Sequence, residues 1–186
     1  MTDEEMVETI DNWRAASPNI VALWRTLEKA AARCIVHRTP QRAGKTGILF
    51  EYENGTLWMT LPSRRRIAYF DARYETSKFH PDRRAISYMG IEQKTKKWAR
   101  IETYGGRLAE NMTQATARDC LRDVMLKLDA AGFDIRAHVH DEVLLSVPEG
   151  EHTVEEVCDI MGEELPWAPG LPLHAEGYSC SYYKKD

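Results

Sequence analysis

The sequence contains no apolar stretch approaching the ~20 residues that a membrane-spanning helix needs, which argues against a membrane protein. Its first residues, Met1-Thr2-Asp3-Glu4-Glu5, are acidic and lack the basic-then-apolar order of a signal peptide, so a cytoplasmic protein is expected. The four cysteines, Cys34, Cys120, Cys158 and Cys180, include no C-x-x-C pair, which suggests neither a zinc site nor a disulfide framework. Buried free thiols are expected instead. There is no internal repeat, no low-complexity tract and no G-x-x-x-x-G-K-[ST] phosphate loop, which argues against a solenoid and a P-loop nucleotide site. What is present is ordinary globular composition: 186 residues, 43% hydrophobic and 29% charged. At about 150 residues per domain, one domain over residues 1–186 is expected.

The net charge of −4 conceals an uneven distribution. Residues 1–20 carry five acidic side chains and one basic. Residues 21–107 carry 18 basic and eight acidic, net +10, and residues 108–186 carry six basic and 16 acidic, net −10. The basic segment includes Arg64-Arg65-Arg66 and the run from Lys94 to Arg100. It is either a local footprint for a polyanion or a solvated face that balances the acidic third. The stretch from Glu149 to Glu164 holds seven carboxylates and no Lys or Arg, as a solvated helix and turn would.

Periodicity places the elements. Ile20, Leu23, Trp24, Leu27, Ala30 and Ala31 recur at helical spacing, predicting a helix over 19–36 with Ser17-Pro18 at its start. Ile48, Phe50 and Tyr52, then Leu57, Met59 and Leu61, alternate on either side of Asn54-Gly55, the pattern of a β-hairpin with a type I′ turn. Pro62-Ser63 ends it, and a further strand is expected over 66–70. Residues 71–85 read as polar and irregular. Ala117, Leu121, Val124 and Leu128 predict a long helix over 106–131, closed by Gly132. Ile135, Ala137 and Val139, then Val143, Leu145 and Val147, form a second alternating pair with His140-Asp141-Glu142 between them. A shorter helix over 154–165 follows, and the proline-rich segment 166–172 reads as extended. The expected fold is α+β, a small antiparallel sheet with long helices packed on one face.

The tip of the second hairpin concentrates chemistry. Ionised carboxylates held between apolar strands need compensation, which a divalent cation supplies, and hard oxygen donors suit Mg²⁺. Successive strand positions point to opposite faces, so Asp141 and Glu142 should play different parts, one a direct ligand and the other a weaker one. The plain alternative is that turns favour polar residues. His140 by itself reads equally as a turn or core histidine.

The run Ala137-His138-Val139-His140-Asp141-Glu142-Val143-Leu144-Leu145 resembles the last palm motif of family A DNA polymerases, those related to bacterial DNA polymerase I. Residues 103–119, from Thr103-Tyr104-Gly105-Gly106-Arg107 to Asp119, resemble the helix that precedes that motif in phage members. The stretch from Trp13-Arg14 to Pro18, with Trp24, resembles the exit from the fingers. Pro62-Ser63-Arg64-Arg65-Arg66-Ile67 resembles the Gly-Arg-Arg-Leu strand, and the tail from Pro166 to Gly177 also resembles phage members. The match runs in order over nearly the whole chain. The resemblance implies a palm sheet, DNA replication chemistry and Mg²⁺. It implies Asp141 as a metal-binding catalytic aspartate, Glu142 as its neighbouring carboxylate and His140 near the primer end. It also implies Gln114 reading the minor groove, with Arg107, Asn111, Arg65 and Arg66 contacting primer–template DNA. A dNTP is the implied second substrate.

The departures are as informative. The family's two-metal mechanism needs a further aspartate in an Asp-Tyr-Ser-type motif, and no such motif is present. The fingers helix that holds the nucleotide is absent, as are the thumb and any exonuclease. The expectation is therefore the C-terminal palm segment of a phage-type polymerase, inactive alone. Because it begins with Met1, it is expected to be one subunit of a split polymerase whose larger partner brings the missing palm and fingers. A catalytically inactive fragment and a stand-alone duplex DNA-binding module are the competing readings.

Overall fold

The computed structural model describes residues 2–183. The fold is α+β, as expected, with a six-stranded and a two-stranded antiparallel sheet and four helices among the described residues. The chain divides into two compact units, one through Thr113 and one from Gln114, and each is treated by itself.

The first unit opens with α1 (Asp3–Ala16), which the periodicity did not reveal. Its start is a capping box: the Thr2 hydroxyl accepts from the Glu5 N–H at 3.2 Å and the Glu5 carboxylate accepts from the Thr2 N–H at 2.7 Å. Next, α2 (Pro18–His37) starts at Ser17-Pro18 as expected and buries Leu27, Ala30, Ala31, Cys34 and Ile35. It packs on the first four strands of the sheet. Those strands are β1 (Gln41–Arg42), β2 (Leu49–Glu53), β3 (Thr56–Thr60) and β4 (Arg66–Thr76), followed by β5 (Arg84–Ile91) and β6 (Trp98–Thr103). They lie in chain order across the sheet.

The Asn-Gly hairpin is β2–β3, with Asn54 at φ 49° and Gly55 at φ 82°, the signs a type I′ turn requires. Phe50, Leu57 and Met59 from this hairpin are fully buried. The next connection, Leu61 to Arg65, is also tight: the Arg64 N–H donates to the Leu61 carbonyl and the Leu61 N–H to that of Arg65. Arg64 takes the left-handed conformation that closes such a three-residue loop.

Residues 71–85 are irregular only over 77–83. β4 continues to Thr76 through a bulge at Asp71, where the pairing shifts between Phe70 and Arg73, and β5 begins at Arg84. The bulge lets β4 pair first with β3 and then with β5. Both faces of β5 and β6 carry apolar residues, so their alternation is blurred in the sequence.

Helix α3 (Gly105–Ala130) ends at Gly132, which adopts φ 91° as a C-terminal stop. Its later turns give Val124 and Leu128 to the core of the second unit, where with Phe133 they pack with Ile135, Val143, Leu145, Val157, Ile160 and Met161. The second hairpin is β7 (Asp134–Val139) with β8 (Glu142–Ser146), and α4 (Val154–Gly162) follows. The alternation suggested that Ile135, Ala137 and Val139 share a face. A bulge at Arg136 puts Ile135 on the face opposite Ala137 and Val139, because the pairing shifts between Ile135 and Ala137.

The segment 166–172 is not extended throughout. It turns twice, with the Ala168 N–H on the Leu165 carbonyl and the Leu171 N–H on that of Ala168. The Trp167 indole N–H donates to Asp123 of α3, and Leu165 is buried. All four thiols are free, as expected, but only Cys34 is buried; Cys120 and Cys158 are half-buried and Cys180 is exposed. Burial, opposed by Arg38 but reinforced by Glu51, pushes the Cys34 thiol up to about 11, so it is inert at neutral pH.

The start of α4 yields a pH prediction. Glu156 accepts from the Thr153 N–H at 3.1 Å and faces His152 Nδ1 at 3.1 Å, and these partners hold its carboxyl below its ordinary 4.5, the Thr153 backbone contributing most. A group depressed in the folded state contributes stability above its unfolded pKa and loses it as the pH falls through the folded one. Melting temperatures of the wild type and Glu156→Gln should therefore differ at neutral pH and converge below the carboxylate range.

Candidate functional site

In the second unit, the hairpin tip is a two-residue turn of His140 and Asp141, and Glu142 is the first residue of β8, paired with Val139. His140 adopts φ 53°, a left-handed conformation uncommon for a residue with a side chain. Strain of this kind is held in place only by the structure around it, and here the two paired strands and their apolar contacts do so. All three side chains are exposed, and none has a hydrogen-bond or ion-pair partner among the described residues. The bulge at Arg136 sets their arrangement. It puts His138, paired with Val143, on the face of Ile135 and Leu145, and leaves Glu142 on the opposite face with Val139. His138 Nε2 lies 3.4 Å from the Arg118 guanidinium on α3. Gln114, also on α3, is exposed and has no hydrogen-bond or ion-pair partner among the described residues.

Asp141 and Glu142 offer the oxygen donors that a hard divalent cation prefers. Among the described residues, however, no three His, Cys, Asp or Glu side chains come together as a metal site. The donors fit Mg²⁺ in kind but not in number.

In the first unit, the other expected contacts stand on a scaffold that the sequence did not reveal. Tyr69 of β4 and Tyr88 of β5 meet edge to face, 5.1 Å between ring centres. The Asn111 amide donates to the Tyr69 hydroxyl at 3.1 Å. Burial pushes the Tyr69 phenol up to about 12, with Asn111 opposing and Tyr88 reinforcing, so it is neutral at any working pH. Burial also raises Tyr88, and the Arg107 guanidinium opposes that shift. The two tyrosines thus neighbour Asn111 and Arg107, two of the residues that the resemblance assigns to DNA. Asn111 is tied to the sheet rather than freely solvated, and Asn111→Ala should lower stability by about 1 kcal/mol. For a chain of this size, that is a drop in melting temperature of roughly 2–4 °C, read by thermal denaturation.

Arg107 lines a cleft of about 770 Å³ with Arg14, Arg25, Arg83, Arg84 and His80. The two carboxylates on its wall are held by neutral donors: Glu28 accepts from the Gly105 N–H at 2.9 Å, and Glu102 accepts from the Ser77 hydroxyl at 2.8 Å. This convergence was not apparent from the sequence, because its arginines come from α1, α2, the β4–β5 connection, β5 and α3. Only the net +10 of residues 21–107 pointed to it. Arg65 and Arg66 sit where β3 returns into β4. Arg66 pairs with Glu53 at 3.2 Å and lies over the Trp58 ring at 4.3 Å, so its side chain has protein partners already.

Comparison with known proteins gives a relative. The chain is 42% identical over all 186 residues to a protein named DNA polymerase from Bacillus phage SP02, and it spans 28% of that relative's length. No family model matches the chain, and no solved structure matches it. The chain is thus a relative of a phage DNA polymerase. No helix among the described residues is long and apolar enough to cross a membrane.

Proposed function

We propose that this chain is the C-terminal palm segment of a family A DNA polymerase and works in template-directed DNA synthesis with a larger partner chain. The similarity over its whole length to 28% of a phage polymerase is the observation that carries this reading. In it, Asp141 would hold Mg²⁺ together with a carboxylate of the partner, with Glu142 contributing more weakly. Held there, Mg²⁺ would supply charge stabilisation for nucleotidyl transfer. The tight β7–β8 turn holds Asp141 at a fixed point, and His140 beside it meets the primer end. Gln114 reads the minor groove, where acceptors recur in every base pair. Arg107, with the basic cleft around it, and Arg65 hold the phosphates of the primer–template. Asn111 is oriented by Tyr69, and Arg66 would exchange Glu53 for a phosphate.

The need for a partner agrees with the surface of α1. Met6, Val7, Ile10 and Trp13 are all more than a third exposed on this one helix, an apolar surface that an associated chain would cover. The test is primer extension with Mg²⁺ by the complex that copurifies with the tagged chain from its source cells. Extension by the complex and none by the chain alone is expected. A chain that copurifies with no polymerase partner, in a preparation that extends no primer, would refute the reading.

A further inference from the structure

The outer face of the β5–β6 hairpin joins exposed rings to unpaired cations. Ile91 and Trp98 are direct cross-strand partners, 63% and 58% exposed. Phe70, paired with Met89 on the adjoining strand, is 48% exposed, and its ring centre lies 6.1 Å from that of Trp98. Just beyond Trp98, the turn carries Lys94, Lys96 and Lys97, all exposed and none in a salt bridge among the described residues.

The turn is built to leave them so. Glu92, its one acid, accepts from the backbone N–H of Lys94 at 3.1 Å and of Thr95 at 2.7 Å. Hydrogen bonds from the Thr95 side chain and from these backbone groups, with a smaller attraction to the Lys94 ammonium, hold its carboxyl below the usual range. Two further backbone bonds close the loop, Glu92 N–H to the Lys97 carbonyl and Lys96 N–H to that of Glu92, both 2.9 Å. Arg100, on the same face as Met89, is anchored by the Asp71 carbonyl and the Ser87 hydroxyl at 3.0 Å each. Rings and cations are therefore presented on a braced surface.

We propose that this face, Phe70, Ile91 and Trp98 with Lys94, Lys96 and Lys97, binds an unpaired nucleic-acid strand. The inference rests on the reading that the chain works on primer–template DNA. Lysines alone would suit any phosphate backbone. The exposed rings narrow the class, since bases within a duplex are already stacked and only an unpaired base offers its face to an indole. An apolar protein surface could cover the rings, but it gives the three clustered ammonium groups no counter-charge.

The test is fluorescence anisotropy of labelled oligothymidylate and of a blunt duplex with the full chain, over a range of salt. The expected result is oligothymidylate binding that Trp98→Ala weakens roughly tenfold. Trp98→Phe should restore most of it, and duplex binding should be unchanged in both. Reversing the three lysines to glutamate should flatten the salt dependence by about two in the log–log slope. Oligothymidylate binding that is absent at low salt, or indifferent to Trp98→Ala, overturns the proposal. So does a Trp98→Ala chain that binds oligothymidylate normally yet no longer assembles with the polymerase partner, for the face would then be a protein interface. Failure here alongside active primer extension removes this inference alone. Absence of extension and of a partner removes the functional reading instead.

Discussion

Replacing Asp141 with alanine is expected to reduce primer extension by the assembled polymerase on the order of 10³-fold while leaving this chain folded. A metal contributes several kcal/mol of charge stabilisation in the transition state, and each 1.36 kcal/mol is a decade in rate. The side chain is exposed and makes no hydrogen bond or ion pair among the described residues, so its removal should shift stability by no more than about 0.5 kcal/mol. Glu142→Gln should cost less, since Glu142 begins β8 on the face of Val139 rather than standing in the turn. Steady-state extension and thermal melts of both variants check these expectations. A large loss for Glu142→Gln with none for Asp141→Ala would reverse the assignment of the two carboxylates.

Replacing Gly105 with alanine should cost about 3 kcal/mol or more, beyond the usual penalty for an added methyl in a packed site. A Cβ built at Gly105 would lie 2.1 Å from the Trp24 carbonyl oxygen and 2.6 Å from its carbon. Both are backbone atoms, so no rotamer change relieves the contact, and α2 must move away from the start of α3. That displacement would also strain the bond from the Gly105 N–H to Glu28 and disturb the cleft beside Arg107. For a chain of this length, the expected drop in melting temperature is about 6–12 °C. Gly55→Ala is the contrast: it has a left-handed φ of 82° but open space around it, so its cost is conformational alone, about 1 kcal/mol. Equal melting temperatures for the two variants would refute the steric argument.

Much of the fold was legible where one periodicity dominated. The Asn54-Gly55 hairpin, α2 behind Ser17-Pro18 and α3 up to Gly132 lie where their spacing and punctuation put them. The α1 helix was not, because its start signal is a reciprocal pair at Thr2 and Glu5 and its apolar residues stay exposed. β5 and β6 were hidden because Met89, Ile91 and Trp98 put apolar residues on the outward face as well. Bulges at Asp71 and Arg136 could not be read at all, since alternation on each side of a bulge looks unbroken. Of the candidate site, His140-Asp141-Glu142 was visible as a motif between apolar strands. The Tyr69–Asn111 bond spans 42 residues, and the basic cleft gathers arginines from five parts of the chain, so both are products of tertiary structure.

The central claim is that this chain is a working segment of a DNA polymerase. Its most direct test is to put the chain in place of the matching segment of the phage SP02 DNA polymerase and measure template-directed primer extension with Mg²⁺. Templated extension by the exchanged protein is expected, with none when the segment is deleted and loss of extension with Asp141→Ala. A folded exchange protein that binds primer–template yet adds no nucleotide, or one whose extension survives Asp141→Ala, would contradict it.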